Sequence, residues 1–184
     1  MLKIGIIVGS TRPGRNAEAV GHWVLEQSKK QTEAKFELVD IADFNLPLLD
    51  EAYPAAMQQY SQDHTKKWSE KIAEFDGYVI ITPEYNHSTS GALKNAIDYL
   101  NAEWANKAAG FVSYGSAGGS RAVEHLRPIF AELRVATVRS QVMFSLFTDF
   151  KDMSTFTPHE RHEASADAMF ADVISWSKAL KTVR

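Results

Sequence analysis

The chain of 184 residues contains no cysteine, and that absence removes several chemistries before any motif is read. Disulfides, thiolate nucleophiles and Cys-held zinc or iron–sulfur centres are excluded, so redox activity here needs a borrowed organic cofactor. A chain without cysteine also fits a reducing cytoplasm. Long apolar runs are missing as well: none approaches the roughly 20 residues that span a bilayer, so membrane insertion is not expected. Met1-Leu2-Lys3-Ile4-Gly5 enters a strand at once, with neither a basic leader nor a cleavage site of small residues. Positive charge is not concentrated, since 20 Lys and Arg face 23 Asp and Glu for a formal charge of −3. Nucleic acid, which demands a basic face, is therefore not an expected partner. Repeats and low-complexity tracts are absent too. What remains is 45% hydrophobic content, enough for one domain, 1–184, with a full core and a small-molecule site.

Short β-branched runs alternate with longer segments of helical period. Strands are expected at Lys3 to Val8, Lys35 to Asp40, Tyr78 to Ile81, Ala108 to Ser113 and Val135 to Val142. Helices are expected at about Asn16 to Lys30, Tyr60 to Phe75, Ser90 to Asn101, Gly119 to Leu133 and Pro158 to Leu180. This alternation predicts an α/β fold with helices on both faces of a parallel sheet. The element order matches a flavodoxin-like three-layer α/β/α sandwich with five strands in the order 2-1-3-4-5. In such a sheet the loops after strands one, three and four meet at one edge, where open α/β sheets bind ligands.

The first of those loops, Gly9-Ser10-Thr11-Arg12-Pro13-Gly14-Arg15-Asn16, lacks both the Walker phosphate loop and the dinucleotide fingerprint. It offers hydroxyls, two arginines and a helix N-terminus, all of which favour a phosphate. The other reading is a solvated, capped turn, with Arg15 facing water. In the second loop, Tyr85 can stack on an aromatic plane or simply be exposed. Asn86 can serve a heterocycle edge or form an Asx turn. In the third, Gly118-Gly119 lets the backbone approach a ligand, or merely turns the chain into the next helix.

Gly9-Ser10-Thr11-Arg12, Pro83-Glu84-Tyr85-Asn86-His87-Ser88, Gly91, Leu93-Lys94-Asn95-Ala96-Ile97-Asp98 and Ser113-Tyr114-Gly115-Ser116-Ala117-Gly118-Gly119-Ser120-Arg121 together resemble the NADPH-dependent FMN reductase family. That family is flavodoxin-like and includes chromate, quinone and azo-dye reductases. The resemblance runs from residue 1 to about 140. It implies that Ser10, Arg12, Arg15 and Asn16 hold the FMN phosphate, and that Pro83, Glu84, Tyr85, Asn86, Ser116, Gly118 and Gly119 contact the flavin ring. It further implies NADPH or NADH as co-substrate, a small-molecule electron acceptor, and a homodimer or tetramer with FMN near the subunit boundary. The chain departs from the family pattern at Ser90, where a proline is usual and a looser helix entry is expected, and at Arg15, often a serine.

Flavin chemistry needs flat packing and donors near the ring rather than a protein nucleophile, so no catalytic side chain is assigned. Glu84 reads as a partner for a nearby base rather than as a general acid. His87 reads as a polar loop residue or a nicotinamide contact. His159 and His162, near Glu160 and Glu163, offer one helical turn of metal-type ligands without a third, against a solvated helix start; no metal is assigned. Lys94, Asn95 and Asp98 read as capping, packing or subunit-contact residues. The apolar third helix, with Ala92, Leu93, Ala96, Ile97, Tyr99, Leu100 and Trp104, suggests a subunit contact. Phe144, Phe147, Phe150 and Phe156 either cover the cofactor or close the sheet edge. The expected activity is hydride transfer from NAD(P)H to bound FMN and then to a quinone, azo, metal-oxyanion or flavin acceptor by a ping-pong scheme. The alternatives are a flavodoxin-like FMN electron carrier and a phosphate-binding module without redox activity.

Overall fold

The computed structural model describes residues 1–184. Five strands, β1 (Leu2–Val8), β2 (Ala34–Asp40), β3 (Gly77–Pro83), β4 (Ala108–Gly115) and β5 (Ala136–Ser145), form one sheet in the order β2-β1-β3-β4-β5. Every neighbouring pair is parallel. Between them run α1 (Ala17–Ser28), α2 (Asp63–Ala73), α3 (Gly91–Asp98) and α4 (Ser120–Glu132), and α5 (Arg161–Leu180) closes the chain. A two-stranded antiparallel hairpin, β6 (Phe150–Lys151) and β7 (Thr155–Phe156), lies between β5 and α5.

The two-residue period of the strands divides the core into two layers. On β1, Leu2, Ile4, Ile6 and Val8 face one side with Val20 and Val24 of α1 and Phe170 and Val173 of α5. Ile7 faces the other side, with Trp68 and Ile72 of α2, Leu93 and Ile97 of α3, and Leu126 and Phe130 of α4. Buried on both faces, the central strands are continuous apolar runs, as a parallel sheet requires; all seven residues of β3 are buried.

Three sequence expectations change. The apolar residues of α3 and of the segment after it are consumed inside the subunit: Leu93, Ala96, Ile97, Tyr99, Leu100 and Trp104 all belong to its second core, with Ala92 half-buried against it. They are therefore not a free subunit contact. Exposed apolar side chains occur instead on the connection from β2 to α2, at Leu48, Leu49, Tyr53 and Met57. β5 runs on to Ser145 and buries Phe144, while Phe150 and Phe156 pack beside it from the hairpin. Phe147 alone of that group points outward. At the helix start, His162 is buried with Nε2 2.8 Å from Asp149, and His159 Nδ1 accepts the Arg161 amide, so the two histidines serve different local contacts.

Candidate active site

The loop after β1 owes its path to Gly9. Its amide donates to the Ile81 carbonyl at 2.9 Å, and a Cβ there would stand 2.4 Å from that oxygen. Ser90 sits beside it as the N-cap of α3, accepting the Leu93 amide at 3.0 Å and donating to the Gly9 carbonyl at 2.6 Å. The helix entry is thus hydrogen-bonded at both ends of the hydroxyl, and the departure from proline does not loosen it.

The loop after β3 is a tight turn. The Tyr85 amide donates to the Ser88 carbonyl at 2.9 Å and the Ser88 amide returns to Tyr85, while Asn86 and His87 take φ of 49° and 72°. Two successive left-handed residues are the signature of the mirror-image turns that close hairpins, and asparagine tolerates that region better than most. The turn aims Tyr85 back at the first loop, where its hydroxyl lies 3.0 Å from the Oγ of the wholly buried Ser10.

Glu84 faces the third loop. Its carboxylate accepts the Arg121 amide at 3.2 Å and pairs with the Arg121 guanidinium. The strand-three loop thereby supplies an acidic cap to the first turn of α4, where the helix dipole favours negative charge. Gly119 enters α4 at φ 75°, and a Cβ on it would lie 2.6 Å from that of Ser113. The Ser113 hydroxyl in turn donates to the Gly118 carbonyl at 2.7 Å.

Between these loops, at the carboxyl ends of β1, β3 and β4, lies a cavity of about 360 Å³. Arg12, Gly14, Arg15 and Asn16 line it from the first loop, and Pro83, Glu84 and Tyr85 from the second. Tyr114 and Gly115 close it at the end of β4, and Leu146, Met153 and Ser154 from beyond β5. Six of the eleven residues expected from sequence therefore share one cavity. Ser10 lies beneath it, holding Tyr85, whereas Asn86, Ser116, Gly118 and Gly119 stand outside the lining. Sequence reasoning placed Tyr114 within the third motif without giving it a role, and missed Leu146, Met153 and Ser154, where no motif signals a site.

Two polar atoms of these lining residues are buried and poorly satisfied: Arg15 Nε has no partner in the chain, and the Tyr114 hydroxyl has only a weak contact with the Tyr85 hydroxyl. Burial, reinforced by the neighbouring Tyr85, pushes the Tyr114 hydroxyl well above the ordinary tyrosine range, so it is a protonated donor. Arg15 is otherwise engaged, its Nη2 bonded to Asp40 and, at 2.7 Å, to Glu18. Burial raises the Asp40 carboxyl in spite of the Ala42 amide and the Arg15 charge. A poorly satisfied buried donor costs about 1–3 kcal/mol, and because both residues line this cavity a ligand rich in acceptors would suit them. Phosphate and ribityl hydroxyls have that chemistry, and the residues present fit a flavin mononucleotide.

A larger cleft, about 570 Å³, opens at the opposite edge of the sheet among Asp76, Glu103, Lys107, Arg134, Lys181 and Arg184. It lies at the amino ends of β3 and β4, the wrong edge for an open parallel sheet. Its charges are also largely spent: Lys181 and Arg184 pair with Asp76, and Lys107 Nζ donates to Ile72, Ala73 and Tyr78.

Known proteins agree with the geometry. The NADPH-dependent FMN reductase family matches residues 2–149. An NAD(P)H-dependent FMN reductase of Nectria sp, ntnL, is 39% identical over 158 residues, covering 81% of this chain and 79% of that protein. A 2-hydroxy-1,4-benzoquinone reductase of a Burkholderia species is 31% identical over 150 residues, covering 78% of each. Among solved structures, the flavoenzyme NAD(P)H:(acceptor) oxidoreductase FerB from Paracoccus denitrificans superposes with a TM-score of 0.74 at 19% identity, covering 97% of this chain and 98% of that one; at that identity it supports the fold alone. With strand order, cavity and this long sequence match in accord, the chain belongs to the NADPH-dependent FMN reductase family of oxidoreductases.

Proposed function

We propose that the protein is an FMN-dependent NAD(P)H oxidoreductase that delivers electrons to a small acceptor of the quinone, azo, metal-oxyanion or flavin kind. The observation that carries this reading is the cavity itself, lined by Arg12, Arg15, Tyr85 and Tyr114, with the poorly satisfied donors Arg15 Nε and the Tyr114 hydroxyl buried in two of those residues. When bound, FMN supplies a two-electron centre that takes hydride from reduced nicotinamide and passes the electrons on. The chain supplies the binding. Arg12 and the Nε of Arg15 meet the phosphate, and Asp40 and Glu18 fix the Arg15 plane so that little side-chain entropy is lost on binding. Ser10 holds Tyr85 against the cavity, and Pro83 stiffens the strand end beside it. Glu84, neutralised by Arg121, brings little net charge to the ring and serves to hold α4 in place rather than to move a proton. Asn86, Ser116, Gly118 and Gly119 are assigned to the outer edge of the ring, a role supported by their motif positions.

Reconstitution with FMN followed by anaerobic titration with NADPH or NADH tests the reading. Retention of the oxidised flavin band and its bleaching on addition are expected. A protein that retains no flavin overturns the phosphate-loop argument, and one that binds flavin without bleaching is a carrier. Nicotinamide and acceptor taking turns against the same bound flavin predicts ping-pong kinetics. Double-reciprocal lines that intersect rather than run parallel exclude that scheme.

A homodimer or tetramer belongs to this proposal. Its support is the apolar connection carrying Leu48, Tyr53 and Met57, pinned to α3 by Asn95 and Tyr99 through the Pro47 carbonyl at 2.6 Å and 3.1 Å. Light scattering at micromolar concentration checks it, and monomer alone is the failing result.

A further inference from the structure

The match to the family ends at Asp149, one residue before β6 begins. The hairpin that follows nevertheless contributes Met153 and Ser154 to the cavity lining. Its tip is a hairpin turn: Asp152 and Met153 take φ of 51° and 56°, the two successive left-handed positions of a mirror-image turn, and the Ser154 amide closes it on the Lys151 carbonyl at 3.1 Å.

The surroundings here are firm. At the base, the buried Asp149 carboxylate accepts the Ser145 amide at 2.9 Å and lies 2.8 Å from His162 Nε2, while its carbonyl accepts the Thr157 amide at 2.9 Å. Along the stem, Phe150 and Phe156 pack at 5.0 Å, with Phe144 at 4.9 Å from Phe156. At the tip, Asn16 Nδ2 donates to the Met153 carbonyl at 3.0 Å. That last bond is informative because Asn16 stands at the N-cap of α1 and makes no capping bond there. Its amide is used across the cavity mouth instead.

We propose that this hairpin is a fourth wall of the FMN site, with Asn16 acting as a positioning residue that holds the tip, and that it sets how long the cofactor stays bound. The inference rests on the FMN reading above. Because Arg12, Gly14 and Arg15 share the cavity with Met153 and Ser154, the wall stands over the phosphate loop. Asn16 then acts on FMN through the Met153 carbonyl rather than as a direct phosphate ligand.

Met153→Gly separates binding from folding. Glycine suits the positive φ, so thermal stability is expected to hold or rise. Loss of the side chain from the wall is expected to speed FMN dissociation, followed by flavin fluorescence, by roughly tenfold, since affinity changes of this kind fall mostly in the off-rate. Asn16→Ala is expected to show a similar acceleration, and the double variant little more than either single one, because both disable the same element. Off-rates and Kd equal to wild type in both single variants overturn the proposal. Additive losses overturn the positioning role and make Asn16 a direct ligand. If the wild-type protein binds no FMN, the underlying functional reading falls; if it binds and the variants match it, only the hairpin's role falls.

Discussion

At the residue scale, the candidate site depends on donors that are poorly satisfied within the chain. Tyr114 is the clearest case, since its hydroxyl is buried with only a weak contact to Tyr85. Tyr114→Phe removes a poorly satisfied polar group, so the melting temperature is expected to stay level or rise, while FMN affinity falls about fivefold for the loss of one neutral hydrogen bond. Calorimetry and flavin titration on the same sample check the opposite signs, and a fall in both makes the hydroxyl structural. Arg12→Ala removes a charge-assisted contact, and a tenfold to hundredfold loss of FMN affinity is expected at roughly 1.5–3 kcal/mol. Unchanged affinity leaves the first loop a capped turn. Arg15 shows the limit of motif reasoning at this scale. Its place in the loop was legible as a basic group beside a helix start, but its ties to Glu18 and Asp40 were not, because Asp40 ends a strand 25 residues away in sequence.

At the scale of elements, the strands were legible to within a few residues because a buried parallel strand is a compact apolar run with turn residues at both ends. The helix ends were harder. α2 starts at Asp63, three residues after the expected Tyr60, and the two residues that lead into it are held from a distance. Glu51 accepts the amides of Ser61 at 2.9 Å and Gln62 at 3.0 Å, and the Ser61 hydroxyl at 2.7 Å. No capping box announces this, since the acidic residue lies in the preceding loop. The hairpin β6–β7 was equally silent: two strands of two residues each have no period to detect, and their phenylalanines read as loose apolar residues. Burial pushes the Glu51 carboxyl up, but the Ser61 and Gln62 bonds outweigh it and hold the group at about 2, against an ordinary 4.5. A depressed carboxylate contributes stability above its unfolded value and loses it as pH falls toward the folded one. This anchor is therefore expected to weaken between pH 4.5 and about 2. Glu51→Gln should lower the melting temperature near neutrality by roughly 2–4 °C, for charge-assisted bonds together worth about 1 kcal/mol, and reduce the acid dependence in that window. An acid limb identical to wild type assigns it to other carboxylates.

For the molecule as a whole, the two edges of the sheet have different tasks. The carboxyl edge gathers poorly satisfied donors around the candidate FMN cavity, whereas the amino edge buries charge that is already satisfied. Lys107 is the centre of that second edge, at 5% exposure. Its three acceptors are the Ile72 and Ala73 carbonyls at the end of α2 and the Tyr78 hydroxyl at 2.9 Å, which tie α2 to β3 and β4. Burial pulls its ammonium down to about 7, the Arg184 charge adds to this, and Asp76 and Glu103 oppose it. The unfolded chain holds that proton up to about 10.5, so between these values the unfolded state binds more protons and stability rises with pH. Above about pH 10 the sign reverses. Burial raises the Tyr78 hydroxyl well above its ordinary value, so the unfolded state releases a phenolic proton that the folded state keeps, and stability falls. Global stability is thus expected to climb from pH 7 toward 10 and decline beyond it. Denaturant titrations at half-unit intervals read this directly. Lys107→Met should flatten the climb while lowering stability at every pH, because the Ala73 carbonyl and the Tyr78 hydroxyl lose a donor and the Ile72 carbonyl keeps only the Tyr78 hydroxyl and the Phe75 amide. A wild-type curve already flat from pH 7 to 10 means that the three acceptors keep the ammonium charged inside the fold.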